Sequence, residues 1–504
     1  MVNLLSPPFW TPVDGNGNIY AGAFANFYRT GTTTRQDTYA DYGLTTPNAN
    51  PVEADANGAF APIYLSADYD YKLILTTAAG AIIKTIDPVP LQSFQTTVVL
   101  NGSELDVMPY APPMGRLTLQ TAEPVMLANY AAKTTLYYTP YVGNLVPIWD
   151  GANFVPTTFA ELSNILTNSA TGKAGPAVAG AYQNIDAFVW NDAGTVRLTR
   201  GPKWVKTATV TMTIAIPGVV TWTAHGLYDG ATVVFSTTGA LPTGVTAGTT
   251  YFVRVIDANT FNLCTTIANQ IAGTYITTSG SQSGVHTAEN YTISRGVDAA
   301  ASTTLERYQG IWVNKYDITN GPLARKGTYV GTIYCDSASQ ANWHVGAVAS
   351  LGTEAKLHVW NAYNRVNVEG HIGDTTDSWN YSTATARPSD NSPTMRATFL
   401  AGLQEEFFWG EHANQTTNGS QQTLAYAGIG YDSTTAFSGR YSGNANPVGV
   451  GSGIFTAVGS HRVQAAVGLH YMQALELPNA TGTTTWYGDA GGISQNGLVY
   501  RGRF

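Results

Sequence analysis

The chain has 504 residues, 44% hydrophobic and only 12% charged, where a usual charged share is about 25%. That length and apolar content call for several domains with real cores, and 52 Gly and 29 Tyr with abundant Thr favour short strands and turns over helices. A net charge of −8 argues against a general nucleic-acid or anionic-membrane surface, and two cysteines in different segments, Cys264 and Cys335, support neither a disulfide framework nor a zinc site.

The opening MVNLLSPPFW has no basic start and no long apolar run, and no stretch approaches the ~18 apolar residues of a membrane span. A soluble chain without a signal peptide or membrane insertion is expected. Residues 1–100 read as a small module of turns and hairpins. Strands are predicted at Ala23–Tyr28, Tyr71–Leu75 and Ala81–Ile86, separated by clusters such as Asp14-Gly15-Asn16-Gly17-Asn18. Asp14, Asn16 and Asn18 alternate as calcium-loop ligands do, but no Glu closes the loop and no helix flanks it, so a plain hairpin turn is expected.

From Gly115 to Asp150 the pattern is strand, loop, strand, tight turn, strand. Leu117 and Leu119 alternate with Arg116, Thr118 and Gln120, predicting one apolar and one polar face. Thr157–Thr167 is the one good helix candidate, with Thr158 and Glu161 at capping-box spacing. Ile185–Trp190 and Thr195–Thr199 predict a hairpin around Asn191-Asp192-Ala193-Gly194. Residues 207–291 then change character, opening with Val210, Met212 and Ile214 alternating with Thr209, Thr211 and Thr213. Residues 336–504 alternate strands with Gly/Asn/Ser/Thr turns, which predicts a β-sandwich or jelly roll. The fold class expected is therefore all-β and multi-domain, with small modules followed by a sandwich-like unit.

Carboxylates are the first place to look for catalysis, because glycoside cleavage needs two of them roughly 5–10 Å apart. Adjacent Glu405 and Glu406, with Glu411 nearby, are expected on opposite faces of a strand. Asp374 and Asp377 lie in turn-rich chain, where such residues bond their own backbone. His358 and His461 read as sheet residues, no GxSxG elbow is present, and Gly449–Gly453 lacks the lysine of a phosphate loop. Neither catalysis nor a metal or cofactor is expected. The C-terminal aromatics remain: Trp360, Tyr363, Trp379, Tyr381 and Trp409, with Trp486 and Tyr487. They serve either as core and subunit interface or as a platform for a glycan, with Asp374 and Asp377 supplying hydrogen bonds.

Several of these stretches resemble one group of proteins. DGNGN…GAFANFYRTGTTTRQDTYADYGLTTPNANPVEADANGAF, over most of residues 9–87, resembles an N-terminal domain of phage tail fibres and tailspikes. RLTLQ…TTLYYTPYVGN…IWDG…TTFAELS resembles the central domain of phage tail-fibre and related appendage proteins, and LPTGVTAGTTYFV…ANTFNL, residues 241–263, resembles a small β module recurring in phage tail proteins. LHVWNAYNRV, DTTDSWNY and TATAR resemble the C-terminal region of the same appendage proteins. In the fibre-type central domain the first segment runs almost directly into the second, so the resemblance implies that residues 207–291 are a β module inserted between residues 101–206 and 292–335, at a surface loop where chain ends lie close. It also implies a virion appendage protein, a homotrimer, joined to other virion proteins through its N-terminal module and meeting a host-surface glycan or protein receptor. The readings that compete with it are a glycan-degrading tailspike and a head or collar fibre.

Overall fold

The computed structural model describes residues 2–4, 10–14, 17–66, 68–89, 112–168, 171–296, 303–346, 354–418, 424–445, 453–489 and 495–504. About half of the chain is strand and 3% is helix, so the protein is all-β. It divides into two compact units, Met1–Met108 and Pro109–Phe504.

The first unit carries a four-stranded antiparallel sheet ordered Val52–Glu53, Phe24–Arg29, Tyr71–Thr76, Ile82–Ile86. Tyr71, Leu73 and Leu75 alternate inward with period two and bury against Phe27, Phe60 and Leu65. The Asn50 amide acts as an extra rung, accepting from Phe27 N at 3.1 Å and donating to Phe27 O at 2.8 Å. Asp14 closes its turn by accepting from Asn18 N at 2.9 Å and from the Asn18 amide at 3.0 Å, the hairpin turn expected there; Gly15 and Asn16 lie outside the described residues.

In the second unit, Gly115–Thr118 pairs with Thr135–Pro140, which pairs with Leu162–Ile165. The predicted one-sided alternation fails here, because Arg116 and Thr118 are as buried as Leu117. Arg116 is held inside by carbonyls: its Nε donates to Pro124 O at 2.8 Å and its Nη2 to Phe504 O at 2.9 Å. The predicted helix at 157–167 is also absent. Phe154–Thr158 forms a hairpin with Leu145–Trp149, and Leu162–Ile165 is a strand. Glu161 does not close a capping box; its carboxylate accepts from Thr121 Oγ1, Ala122 N and Thr139 Oγ1 at 2.5, 2.6 and 2.7 Å.

Gln183–Asp192 and Thr195–Lys203 form the predicted hairpin, with Asp192 opposite Thr195. Ala193 and Gly194 turn the corner at φ of 49° and 97°, as the tight two-residue hairpin loop requires. This hairpin continues through Thr328–Cys335 to Ile311–Asn314 and Leu305–Tyr308. Between them, residues 206–290 close into a six-stranded barrel with its own core of Val220, Trp222, Phe235, Val253 and Phe261. Lys206 pairs with Asn290, so the chain enters and leaves the barrel at adjacent points. The one α-helix among the described residues, Ile267–Ala272, packs on the barrel. Thr266 caps it at the N-terminus and Gly273, at φ 70°, ends it.

Most of the remaining strands of this unit join in a fourteen-stranded sheet, while Val359–Asn361 pairs with Thr328–Cys335. Ser438–Ala445 links two runs of it, pairing with Leu424–Tyr431 on one side and Phe455–Gln464 on the other. The two runs meet face to face as a sandwich does: Phe399 stacks on Phe408 at 3.8 Å, and His412 Nδ1 lies 3.1 Å from Leu475 O. Gly410 permits this approach, since a Cβ there would lie 2.6 Å from Met472 Sδ. One core runs from Leu117 through Val330, Trp343 and Trp360 to Leu498, so strands on both sides of residue 336 share it.

Candidate functional site

The strand Ser378–Asn380 pairs with Thr484–Tyr487, placing Trp379 opposite Trp486. Arg387–Pro388 pairs with Gly468–Pro478, placing Arg387 opposite Glu476. These two pairings bring together groups far apart in the chain. Glu476, with no exposed surface, accepts from Trp379 Nε1 at 2.9 Å and from Arg387 Nε at 2.7 Å. Burial pushes its carboxyl up to about 7, against the partial compensation of Arg387. The Arg387 guanidinium lies 3.7 Å over the Tyr381 ring, and the Tyr381 hydroxyl donates to Thr385 O at 2.7 Å.

Beside this group, Asp374 accepts from Thr376 N at 2.9 Å, and the Thr376 hydroxyl donates to Asp390 at 2.9 Å. Burial raises the Asp390 carboxyl above the ordinary carboxylate range, and the neighbouring charge of Asp374 adds to it. Asp377 is exposed, and its carbonyl accepts from Gly488 N at 3.2 Å. The result is a rim of half-buried Trp379, Tyr381 and Arg387 with Thr376, Asp377 and Asp390, braced from beneath by Glu476. Such a rim offers ring faces together with donors and acceptors. Glu476 itself has no surface with which to meet a ligand.

Four of the seven predicted residues, Asp374, Asp377, Trp379 and Tyr381, therefore share one neighbourhood. The other three do not join them. Trp360 is buried in the main core, stacked 6.5 Å from Tyr329, and offers no face to a ligand. Tyr363 is half-buried, its hydroxyl accepting from Trp312 N at 3.3 Å. Trp409 lies on the outer face of Phe407–Asn418, between Arg462 and Arg501 in register. Sequence reading passed over Arg387, Asp390 and Glu476; the one signal for Glu476 was a lone acid inside an apolar strand, LHYMQALELP.

The adjacent pair Glu405 and Glu406 is occupied by ion pairs, and Glu411 lies on the strand Phe407–Asn418. Glu405 and Glu406 lie in the turn before Phe407, not on a strand, and both reach Arg365, at 2.8 and 3.3 Å. His358 is a buried sheet-edge residue whose burial pulls its imidazole down to about 3, and His461 lies within Phe455–Gln464. No group of three His, Cys, Asp or Glu that could hold a metal occurs among the described residues. Gly449 to Ser452, most of the glycine-rich run, lie outside the described residues.

No protein-family model matches the chain, and no curated protein matches it. Among solved structures it is similar to that of infectious bursal disease virus Gx strain, at 10% identity and TM-score 0.19, covering 75% of this chain and 72% of that one. The VP2 subviral particle of infectious bursal disease virus gives 10% identity and TM-score 0.12, over 64% and 77% of the two chains. The mosquito-larvicidal Cry4Aa toxin from Bacillus thuringiensis gives 9% identity and TM-score 0.15, over 64% and 52%. At these TM-scores none of the three bears on fold or function.

Proposed function

We propose that this chain is a structural protein of a phage virion, an appendage such as a tail fibre or short spike, that assembles into the particle and attaches it to a host-surface glycan. The observation that carries the attachment is the Trp379, Tyr381 and Arg387 rim held by Glu476. Flat rings cover the apolar face of a sugar, while Thr376, Asp377 and Asp390 supply hydrogen bonds to its hydroxyls. The rim stands on paired strands, a rigid scaffold of the kind that positions binding loops. The ordered sequence resemblances supply the virus and the direction: the N-terminal module toward other virion proteins, the C-terminal unit toward the host. The chain acts without a cofactor and cleaves nothing.

Two preparations test this. Residues 109–504, which form a compact unit, should adsorb to host cells but fail to join the particle. The full chain carrying Trp379→Ala and Arg387→Ala should join the particle and fail to adsorb. Undiminished adsorption by that double variant removes the rim from the reading. A particle map with the C-terminal unit buried against other virion proteins would reverse the polarity.

A further inference from the structure

A cavity lies away from this rim, where the barrel meets the large sheet. It encloses about 490 Å3 between the barrel loop 226–229 and the loop 432–435, within the range of roughly 300–1,000 Å3 typical of small-molecule sites. Its lining mixes apolar Leu227, Val255, Ile293 and Val467 with Tyr228 and with polar Asp229, Asp432, Ser433, Thr435 and His470.

Every charge lining this cavity is already matched. Asp229 accepts from Arg254 Nη1 at 2.9 Å and from Val255 N at 2.9 Å. His470 places Nδ1 2.7 Å from the Asp432 carboxylate and Nε2 2.9 Å from Ala466 O. Both of those partners accept, so both ring nitrogens donate and the imidazole is cationic; burial works against this charge, and Asp432 outweighs it. Two neutral pairs therefore face the space. A charged ligand would find no free counter-ion there and would lose its hydration uncompensated. Asp229 is buried and also accepts from Thr434 N and Thr434 Oγ1, both at 3.3 Å, so an uncharged ligand with hydroxyls would donate to the remaining lone pair of the half-buried Asp432 carboxylate and lay its carbons on apolar lining residues such as Val255 and Val467.

We propose that this cavity binds a neutral saccharide of one or two rings, at a site separate from the Trp379 rim. Contacts made to the barrel and to the 432–435 loop at once would tie the two parts together, adding to the existing bonds of Thr434 to Arg254 and Gln270, at 2.6 and 3.0 Å. The inference goes beyond the attachment role and does not rest on it.

The test is calorimetric titration of the full chain with glucose, galactose, N-acetylglucosamine and their disaccharides, with glucosamine and glucuronate as the cationic and anionic arms. Saturable binding of at least one neutral sugar is expected, weakened roughly tenfold or more by Val467→Trp and by Ala466→Trp. Both positions are at least partly exposed, so the added ring fills the cavity without entering the core, and an unchanged melting temperature confirms folding. No saturable binding by any neutral sugar overturns the proposal, as does tighter binding of either charged arm. Binding that both tryptophan variants leave intact and Trp379→Ala abolishes would assign the sugar to the rim. The attachment reading would then stand and this inference fall.

Discussion

Glu476 is a fully buried carboxyl pushed well above its ordinary range although it makes two strong hydrogen bonds. Its folded carboxyl titrates near 7 and its ordinary value is 4.5, so the folded state holds a proton that the unfolded chain releases. The resulting stability is complete below 4.5 and is lost as pH rises through 7, by about 3 kcal/mol in all. Glu476→Gln should remove this decline. Urea unfolding at a series of pH values should show the variant gaining on the parent across that window, and parallel profiles would show that Glu476 stays ionised. The same residue explains why Trp379 differs from Trp360. One tryptophan has a buried acceptor to hold it at a rim, and the other lies wholly among core side chains.

At the scale of elements, the stretch 157–167 carries a good helix signal and makes none. The capping-box spacing of Thr158 and Glu161 is real in sequence, but three donors, two from the turn at Thr121 and Ala122 and one from Thr139 on the strand Thr135–Pro140, take the Glu161 carboxylate, and Thr158 pairs with Leu145. Thr158→Ala should therefore change stability by under about 0.5 kcal/mol, where a helix cap would cost about 1 kcal/mol. Glu161→Ala should cost about 1–2 kcal/mol by leaving those donors to weaker partners. Denaturant midpoints separate the two outcomes. The barrel makes a second element-level case. Replacing residues 207–289 with a short Gly/Ser linker should leave the remainder folded, since the chain enters and leaves at paired residues and loop length itself costs little. The melting temperature should still fall, because Thr434 and Tyr471 lose their barrel partners Arg254 and Tyr228. Insoluble product would mean the barrel is required for the fold around it.

For the whole molecule, low charge and many exposed apolar side chains point to burial against other copies. Tyr141, Val142, Leu323, Phe407 and Tyr441 are all more than 40% exposed, and contact between copies would take such side chains out of water. A homotrimer is expected, with a light-scattering mass of three times 53.6 kDa, and a stable monomer at micromolar concentration would sink that expectation. Three rims on one particle appendage would convert modest single-site affinity into avidity. Purified protein spotted on a host lawn should leave no halo, because Glu476 is buried, Asp374 and Asp390 are bonded within the fold, and the exposed Asp377 alone is not the carboxyl pair that glycoside cleavage needs; a turbid halo would favour a glycan-degrading spike.

What the sequence determined by itself is what local chemistry controls. Its Thr, Tyr and Gly content and period-two alternation determine an all-β chain, and Asn191–Gly194 determines a hairpin at that point, because strand propensity and turn geometry act within a few residues. Tertiary structure alone decided which faces are buried and which side chains meet. Arg116 and Thr118 read as a polar face, yet a second layer covers them. Arg387 and Glu476 are 89 positions apart, and Glu161 reaches Thr121 across 40. Those meetings are set by strand pairing and layer stacking, in which one register places distant residues together, and no local pattern encodes the register between distant strands.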